Sequence, residues 1–192
     1  MQRARVALEI VPPVAATDAG GFDVALPPEA ALDFDSVFKR YSPYVAAVAH
    51  RLLGRDADVD DTVQEVFLVA VRGLSRVRDP LAVKSWLARI AVRAARRRLQ
   101  VRRLRTFLGM DDPSTYDAIA DEQASPEQRA LLQRVYRVLD SMPADQRIAW
   151  TLRHIEGEQL DAVAALSGCS LATAKRRIAS AARTLEEAFS DD

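Results

Sequence analysis

The chain has 192 residues, enough for one domain or two small ones with a core of useful size. Hydrophobic residues make up 49% and charged residues 28%, a balance typical of a globular protein rather than a disordered one. Cys169 is the single cysteine, which excludes an internal disulfide and favours a reducing compartment such as the cytoplasm. The two histidines and one cysteine lie too far apart to form a closed zinc site. The sequence has no run of about 18 apolar residues, so it predicts no membrane span.

The charges balance in number, at 27 basic and 27 acidic, but they are segregated along the chain. Nine basic residues and no acidic one lie between Lys84 and Arg105, whereas residues 111–127 carry six acidic groups and no basic one. Eight of the nine cations are arginine, which suits bidentate contacts to phosphates and bases. Because these arginines lack acidic i,i+4 partners and repel one another, the block favours binding to a polyanion over a merely solvated helix face.

Periodic apolar residues predict helices over most of the chain, and no segment shows convincing strand alternation. The first helix begins near Phe34 and ends at Gly54, with a kink or short break expected at Pro43. Two more follow, one over about 60–72 and one from about 81 to beyond 99, the second with a buried stripe of Val83, Leu87, Ile90, Ala91 and Ala94. The predicted fold class is therefore all-α.

Two segments lack this periodicity. Residues 1–31 hold six prolines and glycines and no continuous apolar run of the kind found in a secretory signal, so we expect a disordered tail. Residues 106–125 contain Gly109, Pro113 and a run of acids, which predicts a flexible acidic linker between two small helical domains. The predicted organisation is a tail over 1–31, a domain over 32–105, a linker over 106–125 and a domain over 126–192.

The second domain contains a helix-turn-helix pattern. The first helix of the domain starts at Ser125, which forms a capping box with Gln128. The helix-turn-helix itself consists of two later helices, over about 159–166 and 171–189, on either side of a tight turn at Gly168. The last helix has an apolar inner face formed by Leu171, Ala174, Ile178, Ala181 and Leu185. Its outer side suits the major groove of duplex DNA and carries Ser170, Thr173, Lys175, Arg176, Arg177 and Ser180.

The arginine-rich helix is a second candidate nucleic-acid surface. One side of it carries Arg89, Arg93, Arg96 and Arg97, which can reach phosphates, and Trp86 lies near its start. An aromatic ring beside cations suits single-stranded bases, which stack on the ring while the backbone is neutralised. A role for Trp86 as an anchor in the core is equally compatible with its position.

The helix over 60–72 carries a different surface. Asp61, Gln64, Glu65 and Leu68 share one face at spacings i, i+3, i+4 and i+7. Favourable interaction of acids with the helix dipole explains Asp61 but not Gln64 or Leu68. An acidic face with an apolar centre suits a protein partner better than DNA.

The sequence predicts no catalytic residue, metal or cofactor, and we do not expect an enzyme. It contains no GxxxxGK[ST], HExxH or GxSxG motif. One rival interpretation is a hydrolase or lyase that uses the carboxylates between Asp56 and Glu65, and it requires these acids to converge on a pocket and to have a raised pKa.

In their order along the chain, these pieces resemble a bacterial RNA polymerase sigma factor of the extracytoplasmic-function (ECF) group. Residues 60–67, DDTVQEVF, look like the family's core-polymerase-binding helix, and residues 85–91, SWLARIA, look like the segment before its −10 reading helix. Residues 142–147, MPADQR, the pair Glu156-Gly157, and residues 170–178, SLATAKRRI, are similar to its −35 helix-turn-helix domain.

The resemblance implies a factor that binds core RNA polymerase and directs promoter recognition, strand opening and transcription initiation in the cytoplasm. It implies polymerase contacts by Asp61, Gln64, Glu65 and Leu68, and capture of the melted non-template −10 strand by Trp86 and the arginine helix. It also implies that the outer side of the last helix reads the −35 duplex. Members of that family are commonly held silent by an anti-sigma protein, which is a candidate partner. The alternative function is a stand-alone helix-turn-helix regulator that binds duplex DNA without polymerase.

Overall fold

The computed structural model describes residues 33–54, 58–110 and 125–190, and its regular elements in these ranges are all helical. The all-α prediction is therefore confirmed, while residues 1–31, on which the tail prediction falls, lie outside the described ranges. The α-helices are α1 (Phe34–Leu53), α2 (Val59–Gly73), α3 (Val83–Phe107), α4 (Pro126–Ser141), α5 (Ala144–His154), α6 (Leu160–Ser167) and α7 (Leu171–Ser190). Two 3₁₀ turns, Leu74–Arg76 and Pro80–Ala82, connect α2 to α3.

Helix α1 runs without interruption through Pro43, so the predicted break is absent. The side chain of Asp33 accepts a hydrogen bond from the backbone nitrogen of Ser36 at 2.9 Å and caps the start of the helix. Gly54, with φ of 70°, ends it in the left-handed conformation that glycine adopts without strain. Tyr41 and Val45, on either side of the proline, are both buried, and this packing holds the helix together where a donor is missing.

Helix α3 continues to Phe107, two residues into the segment predicted as linker. Its predicted stripe is confirmed, since Val83, Leu87, Ile90, Ala91 and Ala94 are all buried. Most of the predicted linker, residues 111–124, lies outside the described ranges. The chain re-enters them at Ser125, whose side chain and that of Gln128 form the predicted capping box at the start of α4.

Helices α1 to α3 and helices α4 to α7 pack against each other. One hydrophobic core joins buried side chains of the first three helices with those of α5 and α6, including Ile148, Leu152 and Val163. A smaller cluster of α4, α5 and α7 is centred on Tyr136 and Trp150. The two halves therefore share a buried seam, and this seam determines which charged side chains face outward.

Candidate nucleic-acid interface

The acidic face of α2 is largely exposed. Asp61, Gln64 and Leu68 are exposed, with 64% of Leu68 accessible to solvent. Glu65 is partly buried because it forms ion pairs with Arg97 and with Arg98 of α3, the second at 3.5 Å. The structure thus presents a polar surface with an apolar centre, in the form that a protein partner would contact.

The carboxylates of this region are partnered by arginines rather than collected in a pocket. Asp58 pairs with Arg102, Glu65 pairs with Arg97, and Asp60 is exposed. A hydrolase or lyase site needs acids that converge on bound substrate, and the acids described in this segment do not form one.

The arginines of α3 differ in their surroundings. Arg89 and Arg93 are exposed, and Arg97 is exposed while paired with Glu65. Helix α3 has no acidic residue among its arginines, but α2 supplies one in Glu65. This ion pair lowers the repulsion between the arginines of α3. The remaining exposed cations form a positive surface suited to phosphates.

Arg96 points into the seam between the two halves of the molecule. Its Nη2 donates to the backbone oxygen of Ser167 at 2.7 Å, and its Nε lies 2.7 Å from Oδ1 of Asp145. The side chain is partly buried, so in this conformation Arg96 contacts the second half of the chain.

Trp86 is partly buried and packs against the core beside the end of α2. A Cβ added to Gly73 would lie 2.8 Å from Cζ2 of the indole, so the absence of a side chain at Gly73 makes room for the ring. The ring therefore packs as an anchor in the core, which was one of the two roles that the sequence allowed for Trp86. Part of its surface stays accessible for stacking.

Helices α6 and α7 form the predicted helix-turn-helix. Gly168 makes the turn with φ of 64°, and Oγ of Ser170 accepts a hydrogen bond from the backbone nitrogen of Thr173 at 3.2 Å. Ser170, Lys175 and Arg176 are exposed, and the other predicted contact side chains, Thr173, Arg177 and Ser180, are partly buried.

Two residues of α7 depart from the simple division into inner and outer faces. Leu171, predicted to lie inside, is 38% exposed because it stands in the first turn, before the helix reaches the core. Arg177, predicted to lie outside, forms an ion pair with Asp145 at 2.6 Å. Among the predicted contact residues of the helix, the exposed cations are therefore Lys175 and Arg176.

The seam contains a charged cluster around the carboxyl end of α1. Arg147 of α5 is buried, and it donates from Nε to the oxygen of Leu52 at 3.0 Å and from Nη2 to the oxygen of Leu53 at 2.8 Å. These carbonyls have no partners within their own helix and lie at the negative end of its dipole, which favours a cation. Burial lowers the pKa of Arg147, and the nearby carboxylate of Asp140 opposes that shift.

Further contacts join the two halves. Arg102 of α3 donates to the same Leu53 oxygen at 3.0 Å and approaches Asp140 at 3.4 Å. The hydroxyl of Tyr136 donates to the oxygen of Arg51 at 2.7 Å. The guanidinium of Arg51 in turn forms a two-point ion pair with the carboxylate of Glu156.

Sequence reasoning missed this cluster. One signal was available, since Arg147 interrupts the apolar face of α5 directly before Ile148 and one turn after Ala144. A charged residue at a position that periodicity assigns to the core requires a buried partner. The identity of that partner, a helix end nearly 100 residues earlier in the chain, leaves no local trace in the sequence.

Within residues 33–54, 58–110 and 125–190, no group of histidine, cysteine and acidic side chains is arranged to hold a metal ion. None of the helices in these ranges combines the length and the hydropathy needed to cross a membrane.

Comparisons with known proteins match both halves of the chain. The family model for Sigma-70 region 2 matches residues 37–105, and the model for Sigma-70 region 4 matches residues 132–185. The ECF RNA polymerase sigma-E factor of Escherichia coli strain K12 is 34% identical over 160 residues, which cover 76% of this chain and 80% of the relative. The factor of the same name from Haemophilus influenzae is 30% identical over 162 residues, covering 80% and 85%.

Solved structures give the same relationship. The sigma factor RpoE from Bartonella quintana, in complex with the anti-sigma factor NepR, has a TM-score of 0.62 and 25% identity, covering 84% of this chain and 99% of that chain. CnrH, in complex with the cytosolic domain of CnrY, has a TM-score of 0.56 and 22% identity, covering 95% and 97%, and it supports the fold.

Proposed function

The chain belongs to the ECF RNA polymerase sigma factors, and from this membership we propose that it binds core RNA polymerase and directs it to promoters to initiate transcription. The observation that carries the proposal is the arrangement of three surfaces on two helical units. These are the exposed α2 face, the cationic surface of α3 and the exposed Lys175 and Arg176 of the helix-turn-helix. A factor that recruits an enzyme to DNA needs one surface for the enzyme and at least one for the DNA.

The division of labour follows the two matched regions. Residues 32–105 form the unit that binds polymerase and the −10 element, residues 126–192 form the unit that binds the −35 element, and residues 106–125 link them. The matches to Sigma-70 region 2 over 37–105 and to region 4 over 132–185 support these boundaries.

The polymerase surface consists of Asp61, Gln64, Glu65 and Leu68. Its exposed leucine supplies apolar area, and the polar groups around it supply specificity, as in protein interfaces with a small apolar centre and a charged rim. Glu65 acts in part by positioning, because it is already paired with Arg97 and Arg98.

The −10 surface consists of Trp86, Arg89, Arg93, Arg96 and Arg97. The arginines neutralise phosphates of the opened non-template strand, which makes binding depend steeply on salt. Bases that stack on the accessible part of Trp86 contribute about 1–3 kcal/mol each, which favours the melted strand over the duplex.

The −35 surface consists of Ser170, Thr173, Lys175, Arg176, Arg177 and Ser180 on the second helix of the helix-turn-helix. Lysine and arginine side chains reach guanine edges and phosphates in the major groove, and the hydroxyl groups add shorter contacts. Core polymerase then holds both units at promoter spacing, so that two modest contacts act together as one strong one.

Three further statements belong to this proposal. The factor has no catalytic role of its own and directs the catalysis of the polymerase. It acts in the cytoplasm, where bacterial polymerase works. An anti-sigma factor is a candidate partner, since the structural relative RpoE was solved in complex with one.

The decisive test is run-off transcription with purified core polymerase and genomic templates. We expect transcripts from start sites that require this chain, and we expect them to disappear when Asp61 and Gln64 are both replaced by alanine. If wild-type chain and core polymerase together give no transcripts beyond those of core polymerase alone, the proposed function is wrong. Tight binding of the chain alone to a duplex operator would instead support the stand-alone regulator.

A further inference from the structure

We propose that a cavity beside α1 and α4 binds a small, uncharged aromatic molecule. The cavity has a volume of about 330 Å³. Its lining comes from the second half of α1, the start of α2, the middle of α4 and Ile155, the residue that follows α5. The site is separate from the polymerase and DNA surfaces described above, and binding there does not depend on the proposed function.

The side chains around the cavity are mostly apolar. Ala46 and Ala47 of α1 and Val59 of α2 contribute to the lining, together with Leu132 of α4 and Ile155. Water among such side chains finds few hydrogen-bonding partners, so a less polar molecule that displaces it binds favourably. The lining chemistry therefore favours an apolar ligand over a polar one.

The size of the cavity suits a compact molecule. Its volume of about 330 Å³ equals that of about ten water molecules at about 30 Å³ each. Sites for small molecules occupy about 300–1,000 Å³, so this one lies at the lower end of that range. One or two fused aromatic rings fit such a volume, whereas a nucleotide or a long lipid chain does not.

The charged and hydroxyl groups of the lining already have protein partners. The guanidinium of Arg51 forms a two-point ion pair with the carboxylate of Glu156. The hydroxyl of Tyr136 donates to the backbone oxygen of Arg51 at 2.7 Å. An anionic ligand would have to compete with Glu156, and a cationic one would lose its hydration beside Arg51. An uncharged ligand avoids both costs.

Two aromatic rings in the lining favour a flat ligand. His50 of α1 and Tyr136 of α4 both contribute to the cavity. Aromatic rings pair in offset-stacked or edge-to-face arrangements, which add to the free energy gained by burying apolar area. A ligand with a ring can use these contacts, and an aliphatic ligand of the same volume cannot.

A ligand in this cavity contacts both units at once. Ala47 and Val59 belong to the first unit, and Leu132 and Ile155 belong to the second. Because the unfolded chain lacks the cavity, the ligand stabilises the folded protein in proportion to the logarithm of its concentration above the dissociation constant. Binding should therefore raise the melting temperature as well as perturb the lining side chains.

The test uses the full chain with labelled valine, leucine and isoleucine methyl groups, observed by NMR while toluene or indole is added. We expect the methyl signals of Val59, Leu132 and Ile155 to shift, with a dissociation constant of about 1 mM for probes of this size. The methyl signals of Leu87 and Val163, buried elsewhere in the core, should stay unchanged. Benzoate, the charged counterpart of toluene, should bind about tenfold more weakly or less.

Cavity-filling variants locate the binding site. Ala47→Leu fills the cavity from α1 and should weaken toluene binding about tenfold or more. The control is Ala130→Leu, the same change at an exposed position of α4, which should leave binding unaltered. Leu132→Phe fills the cavity from α4 and carries the test if Ala47→Leu does not fold. Toluene should raise the melting temperature of the wild-type chain and of the control, but not of a filled variant.

Several results would overturn the proposal. Unchanged methyl signals with both probes would do so, as would equal toluene affinity of the wild-type chain and a folded filled variant. Benzoate binding as tight as that of toluene would contradict an uncharged ligand. Nuclear Overhauser contacts from the lining methyl groups to residues 1–32 or 111–124 would show that this chain itself occupies the cavity. Lining signals that shift with protein concentration would assign the cavity to a second copy.

Discussion

Arginine has three distinct roles among the residues of this protein. Arg147 is buried and caps a helix end, Arg97 is exposed and paired with Glu65, and Arg93 is exposed to solvent on α3. The desolvated group contributes through hydrogen bonds that it must keep, whereas the exposed groups retain most of their hydration and can exchange it for phosphates. The surroundings of each guanidinium, rather than the residue type, decide whether it supports the fold or is exposed where a phosphate could reach it.

Replacement of both Asp61 and Gln64 by alanine should lower the affinity for core polymerase at least tenfold. Both side chains are exposed, so the loss would come from the interface and not from unfolding. Co-purification with core polymerase and a thermal melt measure the two effects separately. Asp60→Ala is the matched control in the same helix turn, and equal polymerase binding by the double variant and this control would contradict the assigned surface.

Replacement of Arg93 and Arg97 by glutamine should weaken holoenzyme binding to forked −10 DNA and make it less sensitive to salt. The slope of log K against log[salt] is negative, and each phosphate that is no longer neutralised makes it less negative by roughly 1. The double variant should therefore have a slope less negative by about 2. Titrations at several salt concentrations give the slope. The control is Arg72→Gln, exposed at the end of α2, and an unaltered slope in the double variant would show that these side chains face water in the complex.

At the scale of helices, local signals in the sequence were sufficient for most of the architecture. The capping box at Ser125 and the buried stripe of α3 lie where the residue pattern predicted them, because capping and periodicity act within a few residues. At Pro43 the predicted short break is absent, since tertiary packing keeps α1 continuous. At Leu171 the apolar pattern predicted burial, but this residue of the first turn of α7 is exposed.

The capping box at the start of α4 offers a direct stability prediction. Ser125→Ala removes the acceptor for the backbone nitrogen of Gln128 and should lower the free energy of unfolding by about 1 kcal/mol. Chemical denaturation measures the change, with the exposed Ser75→Ala as control. A decrease no greater than that of the control would mean that the box does not stabilise the helix.

The packing between the end of α2 and the start of α3 gives another prediction. Gly73→Ala places a methyl group 2.8 Å from Cζ2 of Trp86, so the ring must shift, at a cost of about 1–3 kcal/mol in unfolding free energy. The same change should weaken binding to forked −10 DNA if the ring stacks on a base. In a Trp86→Phe background the smaller ring should relieve most of the destabilisation, and full additivity of the two changes would contradict direct contact.

At the scale of the whole molecule, the seam between the two units holds Arg96 and Arg177 against Asp145. The surfaces of α2, α3 and α7 were predictable as separate helix faces, because each follows from spacing along one helix. The sequence could not place Asp145 between Arg96 and Arg177, since these residues come from three helices and meet through tertiary packing. The contacts of the seam were therefore harder to predict than the separate helix faces.

The measurement that tests the central claim most directly is a hydroxyl-radical footprint of a promoter identified by run-off transcription. The account predicts that the chain with core polymerase protects two segments about 25 base pairs apart, roughly 85 Å along the duplex. The chain alone should protect neither segment at the same concentration. Protection of a single duplex site by the chain alone, unchanged when polymerase is added, would contradict the account and favour a regulator that works without polymerase.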